Sequence, residues 1–428
     1  MNEDFRQTLP ERAAPVLQGP RAQKNIHWAS VWQLILSLLS ILSLWGIAAL
    51  MLLVVVSAAF AGNSRGSIVS LLNAVGLGFS GVLLIPSAGY ALMRILGKPV
   101  TLRYPARHAN WIILLLPPLI LLGHFSTQSA LGKYVFLPAI HILAALIPVI
   151  WLLSLGLRGL PTGSKQRSWG VFGAGLVGAP FLSLIVEAAL LIVFGIAALV
   201  YLAQIPDFGD FFLYDAANPS APDTDAFIKL LEPYLRRPST IYLVLLFGAL
   251  LVPLIEEIFK PIGVWLLAGR GLSAAEGFTA GVFSGAGYAL FENFTLSAGG
   301  GGETWAVTVA ARTGTSLMHI LTAGLMGWAL ALAWRERRYF RLMGIYLLAV
   351  LLHGLWNMMV IFTMLPELAS EGFPVPDFLI SWGRLAPFGL AALLGFGLFL
   401  YLMINLFLKA SLKLGLPEDA PAIQQDVL

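Results

Sequence analysis

The chain has 428 residues, of which 58% are hydrophobic and only 11% are Asp, Glu, Lys or Arg. A soluble domain has about 25% charged residues, so this composition excludes an ordinary soluble protein. The sequence has no cysteine, which excludes disulfides, thiolate metal ligands and a cysteine nucleophile. The net charge of +4 becomes informative only when the basic residues are placed along the chain.

Runs of about 20 apolar residues recur along the sequence, and each is long enough to cross a hydrocarbon core of about 30 Å. They predict an all-α fold, a polytopic membrane helical bundle of about ten transmembrane helices. The third predicted span is short and contains two adjacent prolines, so either a kinked helix or a re-entrant segment is expected there. The predicted spans are 33–60, 68–96, 110–125, 135–157, 170–204, 240–268, 276–297, 305–334, 342–364 and 379–408.

The placement of the basic residues predicts the orientation of the bundle. With the N-terminus in the cytoplasm, 18 of the 26 Lys and Arg residues fall in cytoplasmic segments, five fall on the outer side and three lie within spans. Cytoplasmic loops carry an excess of Lys and Arg. Both termini are therefore expected in the cytoplasm.

Composition also suggests a division of the chain. A polar segment with three prolines predicts a disordered tail, and a segment with six acidic residues predicts an extracytoplasmic loop. The expected units are a cytoplasmic tail (1–30), an N-terminal transmembrane domain of about five helices (31–204), the acidic loop (205–239), a catalytic helical core (240–365), and a C-terminal transmembrane helix with a cytoplasmic tail (366–428).

Four consecutive spans carry ionisable residues that hydrocarbon should exclude. A charge at the bilayer centre costs at least about 2.5–3.5 kcal/mol. At 1.5 Å per residue, each group lies roughly 18–24 Å from the cytoplasmic end of its helix. We therefore expect one polar site inside the membrane. The segments are LIEEIFK (254–260), YALFEN (288–293), RTGTSLMH (312–319) and HGLWN (353–357).

Helical spacing gives each of these spans one polar edge, because residues four apart share a face. Such edges usually face the interior of a bundle. Glu187 lies alone in the fifth span, and the sequence assigns it no role. The polar edges are Glu256 with Lys260, Tyr288 with Glu292, Arg312 with Thr315, Ser316 and His319, and His353 with Asn357.

The residue types on these edges suggest water activation. A catalytic zinc ion typically has three protein ligands and one open position for water, and Glu292, His319 and His353 are the candidates. His319 is alternatively a proton relay. Glu256, with Glu257 as its neighbour, is the candidate general base, because a buried glutamate can accept and return a proton. The same residues also permit a metal-free mechanism in which a glutamate and a histidine activate water directly.

The remaining polar residues have supporting roles with alternatives. Lys260 is expected to pair with Glu256 and keep both groups charged. Arg312 is either a counter-ion of a glutamate or a donor to the developing oxyanion. Asn357 is either such a donor or a hydrogen bond between helices, and Asn293 is expected to support a neighbouring site residue.

The order of these motifs resembles the PrsW family of intramembrane proteases, which is related to the CAAX prenyl endopeptidases. The resemblance covers residues 240–365, and a glutamate stands in the second motif where the prenyl proteases have a histidine, which favours PrsW. The matching residues are Glu256, Glu257, Lys260, Tyr288, Glu292, Asn293, Arg312, His319, His353 and Asn357.

The resemblance implies a multi-pass intramembrane metalloendopeptidase of the bacterial cytoplasmic (inner) membrane, with Zn²⁺ as its expected cofactor. Its partners would be the lipid bilayer and a membrane-protein substrate such as an anti-sigma-factor-like protein, and no nucleic acid is expected. An ion- or proton-coupled transporter could use the same buried Glu, His, Lys and Arg residues. Against this alternative, the sequence has no inverted repeat. A catalytically inactive scaffold is a third reading.

Overall fold

The structure, a computed structural model, describes residues 27–60, 67–98, 109–204, 224–297 and 304–414. These ranges form helices joined by turns and contain no strand, which confirms the predicted all-α membrane bundle. The predicted N-terminal tail lies almost wholly outside the described residues. The acidic loop over 205–223 and the tail after residue 414 lie outside them as well.

The helices are named in chain order over the described ranges. Short 3₁₀ or π turns precede or interrupt some of them, at Ile112–Leu115, Gly132–Phe136, Ala174–Gly178 and Phe247–Leu251. The helices are α1 (Trp28–Phe60), α2 (Ser67–Ile95), α3 (Leu116–Ser126), α4 (Leu137–Gly156), α5 (Lys165–Gly173), α6 (Ala179–Leu202), α7 (Thr224–Leu235), α8 (Pro238–Leu246), α9 (Val252–Phe259), α10 (Ile262–Trp265), α11 (Ala274–Leu296), α12 (Trp305–Glu336), α13 (Tyr339–Ser370) and α14 (Asp377–Lys413).

Each predicted span falls on helical structure. Within the described ranges, eight helical segments are long and apolar enough to cross a membrane. The third predicted span corresponds to a shorter apolar helix, Ile112–Ser126. The seventh is α11, which has many small and polar residues and is not among those eight. The total of ten spans and the orientation of the termini stay predictions.

The centre of the bundle is the pair α11 and α12, whose residues are mostly buried. Their backbones approach closely because α11 carries glycines on the shared face. A Cβ atom on Gly281 would collide with the carbonyl of Ala323, and one on Gly285 with the carbonyl of His319. Small residues allow such close approach between membrane helices. This packing sets the distance between the polar edges of α11 and α12.

The start of α11 is fixed by a capping box. The Ser273 hydroxyl accepts the Glu276 N–H, and the Glu276 carboxylate accepts the Ser273 N–H. Each contact satisfies a backbone donor that has no partner within the helix. Arg167 of α5 donates to Glu276 at 2.9 Å, so the cap also joins α11 to the N-terminal helices.

The segment from α8 to α10 is helical but interrupted twice. The first interruption is the π turn Phe247–Leu251, and the second follows Lys260, where Pro261 has no N–H to continue the helical hydrogen bonds. The Ser284 hydroxyl of α11 donates to the Lys260 carbonyl at 2.6 Å. This bond secures the end of α9, which carries the first polar motif, against the centre of the bundle.

Candidate active site

The structure brings the charged and imidazole side chains of all four motifs into one buried cluster. Lys260 and Glu257 have no exposed surface, and Glu256 is 6% exposed. Glu292 and Arg312 lie at the edge of the cluster, with 12% and 15% of their side chains exposed. We call this set the polar cluster: Glu256, Glu257 and Lys260 at the end of α9, Glu292 of α11, Arg312 and His319 of α12, and His353 of α13.

Lys260 joins the first and fourth motifs. Its Nζ lies 2.6 Å from Glu257 Oε1, 3.2 Å from Glu256 Oε2 and 3.0 Å from His353 Nδ1. A buried charge without a partner is strongly destabilising. The carboxylates of Glu256 and Glu257 compensate the positive charge of Lys260. The predicted pairing of Lys260 with Glu256 is present, and Glu257 is the nearer partner.

Glu257 also fixes the orientation of His353. Its Oε1 lies 3.0 Å from Nδ1 of His353, whereas Nε2 lies 3.8 Å from Glu256 Oε2. We assign the ring proton to Nδ1, which then donates to Glu257 Oε1. In this tautomer the Lys260 ammonium, 3.0 Å from Nδ1, donates to Glu257 and not to the ring. A carboxylate on one ring nitrogen leaves the other as a basic atom in a fixed direction. Here the free nitrogen is Nε2, which faces Glu256.

His319 has the same arrangement with its nitrogens exchanged. Its Nε2 lies 2.7 Å from Glu292 Oε2, which also accepts Arg312 Nη1 at 2.9 Å. Its Nδ1 is buried and has no hydrogen-bond partner among the described residues. The ring lies edge-on to that of His353, with 5.3 Å between the centroids, and 5.1 Å from that of Tyr288. Each histidine therefore has one nitrogen on a glutamate and one nitrogen free.

Three residues of the cluster can hold a metal ion. Glu256, His319 and His353 each offer one ligand atom, and these atoms all lie within 4.8 Å of one another. His319 Nδ1 is buried without a hydrogen-bond partner in the described structure, although buried polar atoms are normally partnered. One carboxylate and two imidazoles are a known ligand set for catalytic zinc. The donor set therefore fits Zn²⁺.

This grouping differs from the ligand set predicted from the sequence in one residue. Glu256, rather than Glu292, shares the space between the two histidines. Glu292 contacts Nε2 of His319, and Arg312 holds it there. The two glutamates therefore occupy different sides of His319.

The hydrogen bond of Asn357 within the described residues goes to the backbone. Its Nδ2 donates to the Gly248 carbonyl at 2.9 Å. In the π turn, the Val252 N–H bonds to the Phe247 carbonyl, and the next residue, Pro253, has no N–H. The Gly248 carbonyl therefore lacks a partner in its own helix. The side chain of Asn357 donates the missing hydrogen bond, and this bond joins α13 to the π turn.

Asn293 also lies outside the polar cluster. Its Nδ2 donates to Ser316 Oγ at 2.9 Å and to the Ala145 carbonyl of α4 at 3.4 Å. Ser316 in turn donates to the Arg312 carbonyl. The contacts of Asn293 link α11 to α12 and α4, one turn of α12 away from His319.

Sequence reasoning missed one residue around the cluster and assigned no role to another. Ser284 secures the end of α9, and it lies four residues before Tyr288 on the edge that also carries Glu292, so the helical spacing could have identified it. Glu187 lies within electrostatic range of Glu292 and Lys260. Its position near the cluster depends on the packing of α6 against α9, for which the sequence gives no signal.

Comparison with known proteins agrees with the motifs. Residues 227–382 match the family model described as PrsW family intramembrane metalloprotease. Comparisons with curated proteins and with solved structures each gave no match. The match covers the whole polar cluster and supports an intramembrane protease, so the transporter alternative is not favoured. The resemblance to the PrsW family predicted from the four motifs is thus confirmed over residues 227–382.

Proposed function

We propose that this protein is a metal-dependent intramembrane endopeptidase that hydrolyses a peptide bond of a membrane-associated protein. The observation that carries the proposal is the buried group of Glu256, His319 and His353, with ligand atoms within 4.8 Å of one another. This group lies within residues 227–382, which match the PrsW family.

In this proposal the free nitrogens of the histidines, His319 Nδ1 and His353 Nε2, hold the ion together with Glu256. Two carboxylates, Glu292 and Glu257, hold the opposite nitrogens and fix both rings. A bound Zn²⁺ would lower the pKa of a water ligand to about 7 and polarise the substrate carbonyl.

Glu256 retains the base role expected from the sequence and also enters the ligand set. A carboxylate that binds through one oxygen has a second oxygen available to accept the proton of the attacking water. Glu257 is already engaged by Lys260 and His353, and Glu292 by Arg312 and His319. Glu256 is therefore the least engaged carboxylate of the three.

Arg312 is the proposed donor to the developing oxyanion. A guanidinium has five N–H donors, and Nη1 of Arg312 donates to Glu292. Donors in a buried site stabilise a developing negative charge more strongly than they would in water. We propose a structural role for Asn357, because its amide already donates to Gly248.

The family match and the apolar helices support a membrane-protein substrate and a multi-pass protein. We propose a membrane-protein substrate, such as an anti-sigma-factor-like protein, in a bacterial cytoplasmic membrane. Residues 240–365 would form the catalytic core, and the helices over 31–204 would form a separate N-terminal transmembrane domain. Zn²⁺ is the ion we propose.

The test is cleavage of a synthetic single-span peptide, labelled with a fluorophore and a quencher, by the full-length protein in liposomes. We expect cleavage to stop after treatment with a chelator and to return with Zn²⁺. His353→Ala should be inactive with or without Zn²⁺. His124→Ala, which changes an exposed histidine of α3, should behave as the wild type.

Two results would contradict the proposal. Undiminished cleavage by His353→Ala would remove the polar cluster from the reaction. Full activity after complete removal of metal, with His353→Ala inactive, would instead support the metal-free mechanism.

A further inference from the structure

Glu187 is a carboxylate near the polar cluster that the proposed mechanism does not use. It lies on α6, outside the residues that match the family. Ser183, one turn before it, is buried at 1% exposure, and α6 packs against α9. Glu187 lies within electrostatic range of Glu292, Lys260 and Glu256. The N-terminal helices thus contribute a fourth carboxylate beside the site.

The side chain of Glu187 has an unused acceptor. Its Oε1 is buried and has no hydrogen-bond partner among the described residues. The Lys260 ammonium, a charged donor within electrostatic range, contacts Glu257 and has no exposed surface. A buried acceptor without a donor is costly. The donor that Glu187 lacks can therefore come from a bound molecule.

Glu187 also lies where the site meets the lipid-facing surface. The side chains around it on α6 are exposed and apolar, with Leu184 at 53% and Ile185 at 50% exposure. Exposed apolar residues continue along α6 from Leu191 to Tyr201. A membrane-embedded segment that approaches the polar cluster along α6 would pass Glu187.

The chemistry of cleavage supplies the missing donor. A transmembrane helix uses its peptide N–H groups internally, and a group left without a partner in hydrocarbon is costly. The bond to be cut has to leave the helix, because a helical carbonyl is enclosed by its own backbone. The unwound segment therefore presents N–H groups that need an acceptor inside the membrane.

We propose that Glu187 is a substrate-binding residue whose Oε1 accepts a hydrogen bond from a peptide N–H of the unwound substrate segment. This inference rests on the proposed protease function and adds a residue of the N-terminal helices to it.

The test uses the same labelled single-span peptide and the full-length protein. A hydrogen bond to a charged acceptor is strong enough that Glu187→Ala should lower kcat/KM about 10- to 100-fold, mainly through KM. Zinc content should equal that of the wild type. Glu187→Gln, whose amide oxygen can still accept, should retain part of the activity. Leu191→Ala, on an exposed position of the same helix, is the matched control.

A second measurement separates binding from a structural role. Peptides in which single amides near the cleavage site are replaced by esters lack one N–H each. One ester position should reduce cleavage by the wild type and have no further effect on Glu187→Ala. Unchanged kcat/KM in Glu187→Ala, zinc loss in proportion to activity, or equal ester effects in both proteins would overturn the inference while leaving the protease function intact. Absence of cleavage by the wild type would overturn both.

Discussion

Replacement of Glu256 by glutamine tests the proposed ligand set most directly. The change keeps the size of the side chain and removes its charge from a residue that is 6% exposed. Lys260 retains its nearer partner, Glu257, at 2.6 Å. We therefore expect Glu256→Gln to fold, to bind Zn²⁺ more weakly and to lose peptidase activity.

The contacts of the other two glutamates set the expected magnitude. Glu257 and Glu292 touch the histidines and not the proposed ion position, and loss of such a partner costs about 10- to 100-fold in metal affinity. Loss of a direct ligand should exceed this range. We expect Glu256→Gln to weaken Zn²⁺ binding more than about 100-fold, which corresponds to more than about 2.8 kcal/mol.

Competition with a chromophoric chelator measures the affinity of each purified variant for Zn²⁺. Thermal unfolding in the same detergent checks that each variant is folded, and Glu367→Gln, on an exposed position of α13, controls for loss of a charge. If Glu256→Gln binds Zn²⁺ with wild-type affinity but does not cleave the peptide, Glu256 is not a metal ligand and acts only as a base. A greater loss in Glu292→Gln than in Glu256→Gln would favour the set predicted from the sequence.

The other predictions concern the structure around the cluster. Lys260→Met should lower the free energy of unfolding by about 3–5 kcal/mol, because it leaves buried carboxylates uncompensated. Chemical denaturation measures this loss. Arg338→Ala, which removes an exposed ion pair with Glu336, is the control and should lower the free energy of unfolding by under about 1 kcal/mol. Gly281→Ala should destabilise by about 1–3 kcal/mol because its Cβ meets a carbonyl of α12. Gly344→Ala, with open space around the new atom, should not lower the thermal midpoint. Asn357→Ala should cost about 1–3 kcal/mol through the unsatisfied π-turn carbonyl. Its zinc content should stay unchanged, and a loss of zinc without a loss of stability would contradict this role.

Much of the fold and the identity of the cluster could be predicted from local sequence. The length of each apolar run is set by the bilayer, so all predicted spans fall on helices. The ionisable residues stood out because hydrocarbon excludes them, and their helical spacing placed them on one edge of each helix. The resemblance to a protease family, carried by the same residues, is confirmed over 227–382.

Contacts between helices were less predictable. The sequence shows that Asn357 shares an edge with His353, and both a reacting donor and a link between helices were consistent with that position. Its actual partner is the Gly248 carbonyl, which is left free only because a π turn precedes Pro253. No spacing rule indicates where a helix inserts one extra residue in a turn.

The sequence by itself determined that this protein is a helical membrane bundle with glutamates, histidines, a lysine and an arginine in its interior. Those properties depend on hydrophobicity and helical periodicity along one segment at a time. The tertiary structure brought a ligand atom of Glu256 within 4.8 Å of those of His319 and His353, and it packed α6, which carries Glu187, against α9. These placements depend on the rotation and close approach of whole helices, which arise from the glycine contacts of α11 and the break at Pro261.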